Sequence, residues 1–127
     1  MSAAVSTVEA VAAALRDVRV GGFGVAETEL RDACEAALKG AGFGALREVR
    51  LAPRCRADLV VDEMVVEVKC GRPHAGALAG QLHRYLGCPG IAGAVAVTEK
   101  RTPLPAEIDG KPVASVALHG AWGIALP

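Results

Sequence analysis

The fold is decided by residues 58–69, which read DLVVDEMVVEVK. Two apolar runs flank a central Asp-Glu pair, a pattern that predicts two strands joined by a tight turn. A turn centred on that acidic pair gives an antiparallel hairpin whose register is fixed. The facing pairs are then Val61 with Met64, Val60 with Val65, Leu59 with Val66, Asp58 with Glu67, and Arg56 with Lys69.

Side chains of a hairpin alternate between two faces, and the two predicted faces differ sharply in polarity. One face is wholly apolar and consists of Ala57, Leu59, Val61, Met64, Val66 and Val68. The other face carries the opposed carboxylates of Asp58 and Glu67, with Lys69 two residues beyond Glu67. Like charges directly opposite each other destabilise a sheet by up to ~1 kcal/mol, so this pair needs a compensating partner.

A divalent cation is one such partner, because Mg²⁺ and Mn²⁺ are bound by carboxylate oxygens together with water and substrate phosphate. Lys69 lies on the same predicted face, where its ammonium group can hold a water molecule or help to deprotonate it. The alternative is an ordinary, solvated sheet face on which Asp58, Glu67 and Lys69 form salt bridges. The flanking sequence has to decide between these two interpretations.

The rest of the chain predicts an α/β domain with a mixed sheet flanked by helices. Helices are predicted at about 7–18, 26–39 and 75–86, strands at 46–51, 57–61, 64–70, 91–98 and 111–118, and a loop at 100–109. The spacing of Ser6 and Glu9 predicts a capping box at the first helix. Glycines at 21–24 are expected to end that segment, and Trp122 to anchor a short tail.

Two helices carry polar residues on faces that are otherwise apolar. Glu27 is in register with the apolar stripe of the second helix, which is formed by Leu30, Cys34 and Leu38. It points toward whatever that stripe packs on, unlike Glu29, or it simply stabilises the helix N-terminus. Gln81 and Tyr85 lie one turn apart on the third helix. A core-facing glutamine needs hydrogen-bond partners, whereas a partly exposed one has no special role.

Composition excludes several classes of protein. With 127 residues, of which 52% are hydrophobic and 22% charged, the chain is expected to be one ordered domain. No apolar run reaches the ~18 residues of a membrane span, and the N-terminus lacks a signal-peptide pattern, so a cytoplasmic location is expected. The net charge of zero argues against purely electrostatic nucleic-acid binding, although residues 47–56 hold four arginines.

The four cysteines could form a metal cluster or could be reduced thiols in the core. They are widely spaced and contain no Cys-x-x-Cys pair: Cys34, Cys55, Cys70 and Cys88. This spacing favours reduced thiols that pack as small apolar residues over a four-cysteine metal cluster, whose ligands usually come in close pairs.

Together these elements resemble the PD-(D/E)xK nuclease superfamily. The resemblance runs from about residue 27 to 98 and follows the order of elements: a helix with Glu27, a strand around Glu48, Asp58-Leu-Val-Val, Glu67-Val-Lys69, and a helix with Gln81 and Tyr85 at Q-x3-Y spacing. Alanine stands before Asp58, where proline is frequent in the family. The resemblance implies a restriction-endonuclease-like αβββαβ core in a single domain (1–127), with residues 1–22 as an extra N-terminal helix and turn.

The resemblance also implies an active site. Asp58, Glu67 and the backbone carbonyl of Val68 would bind Mg²⁺ or Mn²⁺, and Glu27 would contact the metal directly or through water. Lys69 would position the attacking water, and Gln81 would help to orient the site. Some members of the family place a further acidic residue where Glu48 stands.

The function implied is metal-dependent hydrolysis of DNA phosphodiester bonds, with duplex or branched DNA as substrate and a homodimer as the assembly. Residues expected at the DNA are Arg54, Arg56, Arg72, Arg84 and Tyr85. The alternative function is a catalytically inactive DNA- or protein-binding module on the same fold. A non-catalytic protein has no physical reason to keep the opposed carboxylates of Asp58 and Glu67, which favours the nuclease.

Overall fold

The structure is a computed structural model that describes residues 3–19 and 26–118. The glycines at 21–24 and Trp122, for which the sequence predicts a chain break and an anchor, lie outside the described residues. The described elements are α1 (Ala3–Arg16), α2 (Glu27–Gly40), β1 (Ala45–Ala52), β2 (Cys55–Val61), β3 (Met64–Lys69), α3 (Ala75–Leu86), β4 (Gly93–Thr98), β5 (Glu107–Ile108) and β6 (Lys111–Ala117).

The strands form one mixed sheet in the order β1-β2-β3-β4-β6-β5. The first three strands are antiparallel neighbours, β3, β4 and β6 run parallel, and β5 pairs antiparallel with β6. Because β3 and β4 are parallel, their connection has to cross over the sheet, and α3 makes that crossing. The predicted α/β class with a mixed sheet flanked by helices is confirmed.

Helices cover both faces of the sheet, and each face has its own apolar core. On one face α1 packs on β4 and β6, and α2 packs on β1 and β3. The core of this first face includes Leu15, Leu30, Leu59 and Val66. On the second face α3 covers the sheet, with Leu82 and Tyr85 among its buried residues. The protein is therefore a three-layer sandwich in which β4 is buried throughout and β3 is buried at every residue except Lys69.

The predicted hairpin register is confirmed at its three inner pairs, which are Leu59 with Val66, Val60 with Val65, and Val61 with Met64. The two predicted outer pairs are not part of this ladder, because the Asp58 side chain accepts a hydrogen bond from the backbone N–H of Val68 there. The predicted apolar face is also correct for five of its six members, all of which lie in the core of the first face. Ala57 is the exception, because it packs in the core of the second face, beneath α3.

The misplacement of Ala57 has a backbone cause. In β1, Arg47 makes ion pairs with two acidic residues of α2, whereas Val49, two residues on, packs on the α3 face. Strict alternation would put both on one face, so the strand turns over between them. Glu48 lies at that point with a left-handed φ of 49°. The same reversal occurs in β2 at Asp58, which lies between Leu59 and Ala57.

Two further predictions are wrong. Helix α1 starts at Ala3, so Ser6 is inside the helix and does not cap it. The hydroxyl of Thr7 donates to the carbonyl of Ala3 at 2.9 Å, an i to i−4 bond that belongs to a helix interior. The predicted loop at 100–109 contains a short strand, β5, which pairs with the start of β6.

Within residues 3–19 and 26–118, no helix combines the length and the apolar composition that a membrane crossing requires.

Candidate active site

Asp58 lies where β2 turns over, and its side chain takes part in holding the hairpin together. Its Oδ2 accepts a hydrogen bond from the backbone N–H of Val68 at 3.2 Å, across the strand pair. Its Oδ1 lies 3.8 Å from Nη2 of Arg31, a residue of α2. The carboxylate is therefore fixed at the junction of β2, β3 and α2.

Glu67 is the most unusual side chain of the region, because it is only 2% exposed and yet polar. Burial raises its pKa to about 7, and the nearby Asp58 carboxylate adds to the rise, whereas Lys69 lowers the pKa in part. Its Oε2 lies 3.2 Å from Nζ of Lys69. Its Oε1 is buried and accepts no well-aligned hydrogen bond, although the Tyr85 hydroxyl lies close enough to lower the pKa of the carboxyl. A buried acceptor without a partner is costly, and such an atom requires an explanation.

Glu27 begins α2 and forms an ion pair with Arg31, one turn further along the helix, at 3.8 Å. The guanidinium of Arg31 thus lies beside Glu27 and Asp58 at once. The stripe with which Glu27 is in register is buried, but the Glu27 side chain itself is 41% exposed, so its predicted orientation toward the layer below stays a prediction.

Gln81 and Tyr85 form the other wall of the region, from α3. Gln81 Nε2 donates to the Tyr85 hydroxyl at 2.9 Å, and that hydroxyl donates to the backbone carbonyl of Arg56 at 3.1 Å. Burial raises the pKa of Tyr85 far above its ordinary value, and the carboxylate of Glu67 raises it further, so the phenol stays protonated. The chain of hydrogen bonds joins α3 to β2 next to Glu67.

The predicted ligand set is brought together only in part. Among the described residues, no three His, Cys, Asp or Glu side chains are grouped closely enough to hold a metal ion. Asp58 and Glu67 are close enough to influence each other's charge, but Glu27 is paired with Arg31 instead of joining them. Since Mg²⁺ is commonly held by one or two carboxylates with water completing its shell, the two residues still fit it. The partnerless Oε1 of Glu67 is the atom that such an ion would satisfy.

The basic residues fall into two groups. Arg54, Arg56, Arg72 and Arg84 are exposed, so all four arginines predicted at DNA are available to a ligand. Arg47, by contrast, makes ion pairs with Asp32 and Glu35 of α2.

The structure contradicts the predicted contact of Tyr85 with DNA. The sequence predicts Tyr85 at the DNA, but the residue is only 4% exposed and its hydroxyl is hydrogen-bonded within the protein. Its role is to hold α3 against β2. The period of the third helix indicates burial of Tyr85, since Leu78, Leu82 and Tyr85 share one stripe.

The alternative of a four-cysteine metal cluster is contradicted. Cys34 and Cys70 pack on the first face of the sheet, whereas Cys55 and Cys88 pack on the second. All four are free thiols, and the Cys55 and Cys88 sulfurs lie 3.6 Å apart. Burial raises the pKa of Cys34 to about 12, as expected for a thiol that packs as an apolar residue.

Arg31 is a residue of the site that the polar pattern of the sequence does not single out. Its Nε is buried without a hydrogen-bond partner, and its side chain is 17% exposed, so it belongs to the interior of the site. The signal was present, because Arg31 follows Glu27 by four residues and such residues are neighbours on a helix. Glu48 is exposed and has a left-handed backbone at the point where β1 turns over, and its predicted place among the acidic residues of the site stays a prediction.

Comparison of the chain with family models, with curated proteins and with solved structures finds no match. The functional assignment therefore depends on the residues and their geometry.

Proposed function

We propose that the protein is a Mg²⁺- or Mn²⁺-dependent deoxyribonuclease that hydrolyses phosphodiester bonds. The observation that carries the proposal is the buried carboxylate of Glu67, which keeps one oxygen without a partner beside Asp58 and within 3.2 Å of Lys69. A fold under no functional constraint would replace this group with an apolar residue, because burying it is costly. Strongly perturbed carboxylates of this kind are common at catalytic sites.

The arrangement of the strands supports the same proposal. A helix precedes three antiparallel strands, and a second helix crosses to a fourth strand that is parallel to the third. This is the order expected of the PD-(D/E)xK core. Asp58 and Glu67 lie on the second and third strands of that order, which is where the resemblance requires them.

The roles of the residues follow from their positions. Asp58 and Glu67 would hold the ion, which when bound supplies positive charge to the phosphate oxygens and lowers the pKa of bound water. The Lys69 ammonium stabilises negative charge that develops on the phosphate and holds the attacking water in place. Gln81 keeps the hydroxyl of Tyr85 in position, so that α3 and β2 stay closed around Glu67.

Duplex or branched DNA is the proposed substrate, because its backbone carries regularly spaced phosphate charges that exposed arginines bind. Arg56 and Arg84 lie on the two elements that Tyr85 joins, and Arg54 and Arg72 lie in turns that lead into β2 and out of β3. A homodimer that cuts both strands of a symmetric substrate is part of the proposal, and sedimentation of the full chain tests it.

Cleavage of linear, nicked and four-way-junction DNA in Mg²⁺ or Mn²⁺ tests the proposal. The wild type is expected to cut at least one substrate, and Glu67→Ala and Lys69→Ala to lose cleavage by 100-fold or more, on the order of a lost catalytic group. Glu29→Ala is the matched control, because Glu29 is an exposed acid beside the site that is expected to take no part in it. Equal cleavage by the wild type and both site variants, or none by any, would contradict the proposal.

A second candidate is a DNA-binding module without catalysis, and one observation favours it. Arg31 lies 3.8 Å from both Glu27 and Asp58, so a protein cation already partly compensates these carboxylates. This candidate predicts that the chain binds DNA in EDTA, that Arg56→Gln and Arg84→Gln weaken binding, and that no metal supports cleavage.

A further inference from the structure

A pocket of about 480 Å³ opens on the α3 face of the sheet, at the ends of β4 and β6. Its walls are the loop residues 101–104 together with Thr98, Ser115 and Ala117. The volume is in the range of sites for small organic ligands. Neither the catalytic residues nor the exposed arginines discussed above line this pocket.

The strand register connects the pocket to the proposed active site. Glu67 pairs with Ala96, and Ala96 pairs with Ser115, so these three side chains form one row across β3, β4 and β6. Lys69, Thr98 and Ala117 form the next row in the same way. Paired residues of neighbouring strands project to the same face, and strands lie ~4.8 Å apart. The pocket therefore begins one strand away from Lys69, on the face that carries both Lys69 and Glu67.

The polar groups of the pocket define what it can bind. The hydroxyls of Thr98 and Thr102 both donate to the backbone carbonyl of Lys100, at 2.7 and 3.2 Å. With their hydrogens used in this way, their free lone pairs accept hydrogen bonds from a ligand. Ser115 is exposed and can donate or accept, and the exposed guanidinium of Arg101 supplies a positive charge.

The rest of the lining is apolar. Leu104 and Ala117 are half-buried and offer flat, apolar contact. A ligand that matches the whole pocket has a planar apolar body, amine donors at its edge and a negative charge. A nucleotide has these three properties, with the base as the body and the phosphate for Arg101.

We propose that this pocket binds one nucleotide of the substrate strand, next to the phosphate that is cleaved. The inference rests on the proposed nuclease function and extends it, since it gives the enzyme a contact with a base as well as with the backbone. The base lies against Leu104 and Ala117, the hydroxyls of Thr98 and Thr102 accept from its edge, and Arg101 binds its phosphate. A base reaches such a pocket only when it is unpaired, so nucleotides at ends, nicks or junctions are favoured over those within an intact duplex.

The test is binding of the four deoxyribonucleoside 5′-monophosphates to the full chain in EDTA, measured by titration calorimetry. Without metal, the carboxylates of Asp58 and Glu67 do not attract a phosphate, so binding reports on the pocket. At least one monophosphate is expected to bind, more tightly than inorganic phosphate. Arg101→Gln is expected to weaken binding about tenfold, and Ser115→Leu to do the same by filling the pocket, whereas Arg16→Gln on the distant helix α1 is the matched control.

Both pocket residues are exposed, so the variants are expected to fold, and their melting temperatures check this. The inference is overturned if no monophosphate binds at millimolar concentration, if phosphate binds as tightly as the nucleotides, or if neither pocket variant weakens binding. Cleavage assays separate this inference from the proposed function. Nucleotide binding without any cleavage would support the nucleotide pocket and contradict the nuclease function. Cleavage without nucleotide binding would support the nuclease function and contradict the nucleotide pocket.

Discussion

The Nζ atom of Lys69 lies 3.2 Å from Oε2 of Glu67, while Oε1 of the same carboxylate is buried without a hydrogen-bond partner. One half of the group is thus compensated and the other half is not. The lysine is 30% exposed and the glutamate 2%, so the pair runs from the surface into the interior of the sheet. Because the glutamate is buried and only one of its oxygens is paired, the charge of Glu67 is sensitive to pH and to any cation that enters the site.

Glu67 is expected to make stability fall as pH rises. Its carboxyl has an ordinary pKa of 4.5 and a pKa of about 7 in the folded protein, so the folded state binds more protons between these values. Its stabilising contribution is complete below pH 4.5 and is lost as pH rises through 7, by about 3 kcal/mol in total. Urea denaturation in EDTA should show this decline in the wild type but not in Glu67→Gln. Parallel pH profiles for the two proteins would contradict the assignment.

Millimolar Mg²⁺ is expected to raise the melting temperature at pH 8, because an ion held by Asp58 and Glu67 binds the folded state alone. The variants Asp58→Asn and Glu67→Gln should lose this shift, since each removes one of the two ligands. Glu29→Gln serves as the control that removes an exposed acid. A shift of equal size in all four proteins would mean that Mg²⁺ acts elsewhere on the surface.

Replacing Arg31 with glutamine is expected to increase the dependence on metal. In EDTA the variant should be less stable by about 1 kcal/mol, because Glu27 and Asp58 lose their shared cation. Mg²⁺ should then stabilise the variant more than the wild type, since a competing positive charge is gone. Arg47→Gln is the matched control, because Arg47 binds acidic residues of α2 at a different place. Thermal melting with and without Mg²⁺ measures both effects, and an equal response to Mg²⁺ would count against a cation site at Asp58.

Tyr85→Phe is expected to lower the free energy of unfolding by about 1–2 kcal/mol. The change leaves the carbonyl of Arg56 without its donor in a partly buried position. Gln81→Ala should cost less, because Gln81 is partly exposed and its amide only donates to the Tyr85 hydroxyl. Urea denaturation compares the two variants. If Gln81→Ala were the more damaging change, the hydroxyl of Tyr85 would not be the link between α3 and β2.

Gly93→Ala is expected to destabilise the protein by about 1–3 kcal/mol. A Cβ at Gly93 would lie 2.6 Å from Cγ2 of Val8 and 2.8 Å from Sδ of Met64, so α1 would have to move away from β4. Gly80→Ala is the control of opposite sign, because nothing lies within 4 Å of its Cβ and alanine favours a helix. Thermal melting of both variants gives the comparison, and a stable Gly93→Ala protein would show that α1 packs differently.

The sequence was sufficient for features that depend on side-chain period. The hairpin register followed from where the apolar runs stop, and the crossing helix α3 followed from its stripe and its flanking glycine and proline. The reversal at Glu48 and Asp58 was not predictable, because it depends on backbone angles that the polar pattern does not record. Arg31 was missed because its importance comes from Asp58, a residue distant in sequence that the fold brings next to it.

The left-handed residue in β1 also affects how the molecule meets its neighbours. β1 is the outermost strand on one side of the sheet, and an uninterrupted outer strand can pair with strands of other molecules. Leu46, at 64% exposure the most accessible large apolar side chain among the described residues, stands on this strand two residues before Glu48. The left-handed backbone of Glu48 twists this outer strand next to Leu46, and the register shift between Arg50 and Ala52 bends it further, so its outer edge is a poor template for a straight partner strand. The reversal in β1 and β2 that positions Asp58 thus also makes the edge strand β1 less able to pair with strands of other molecules.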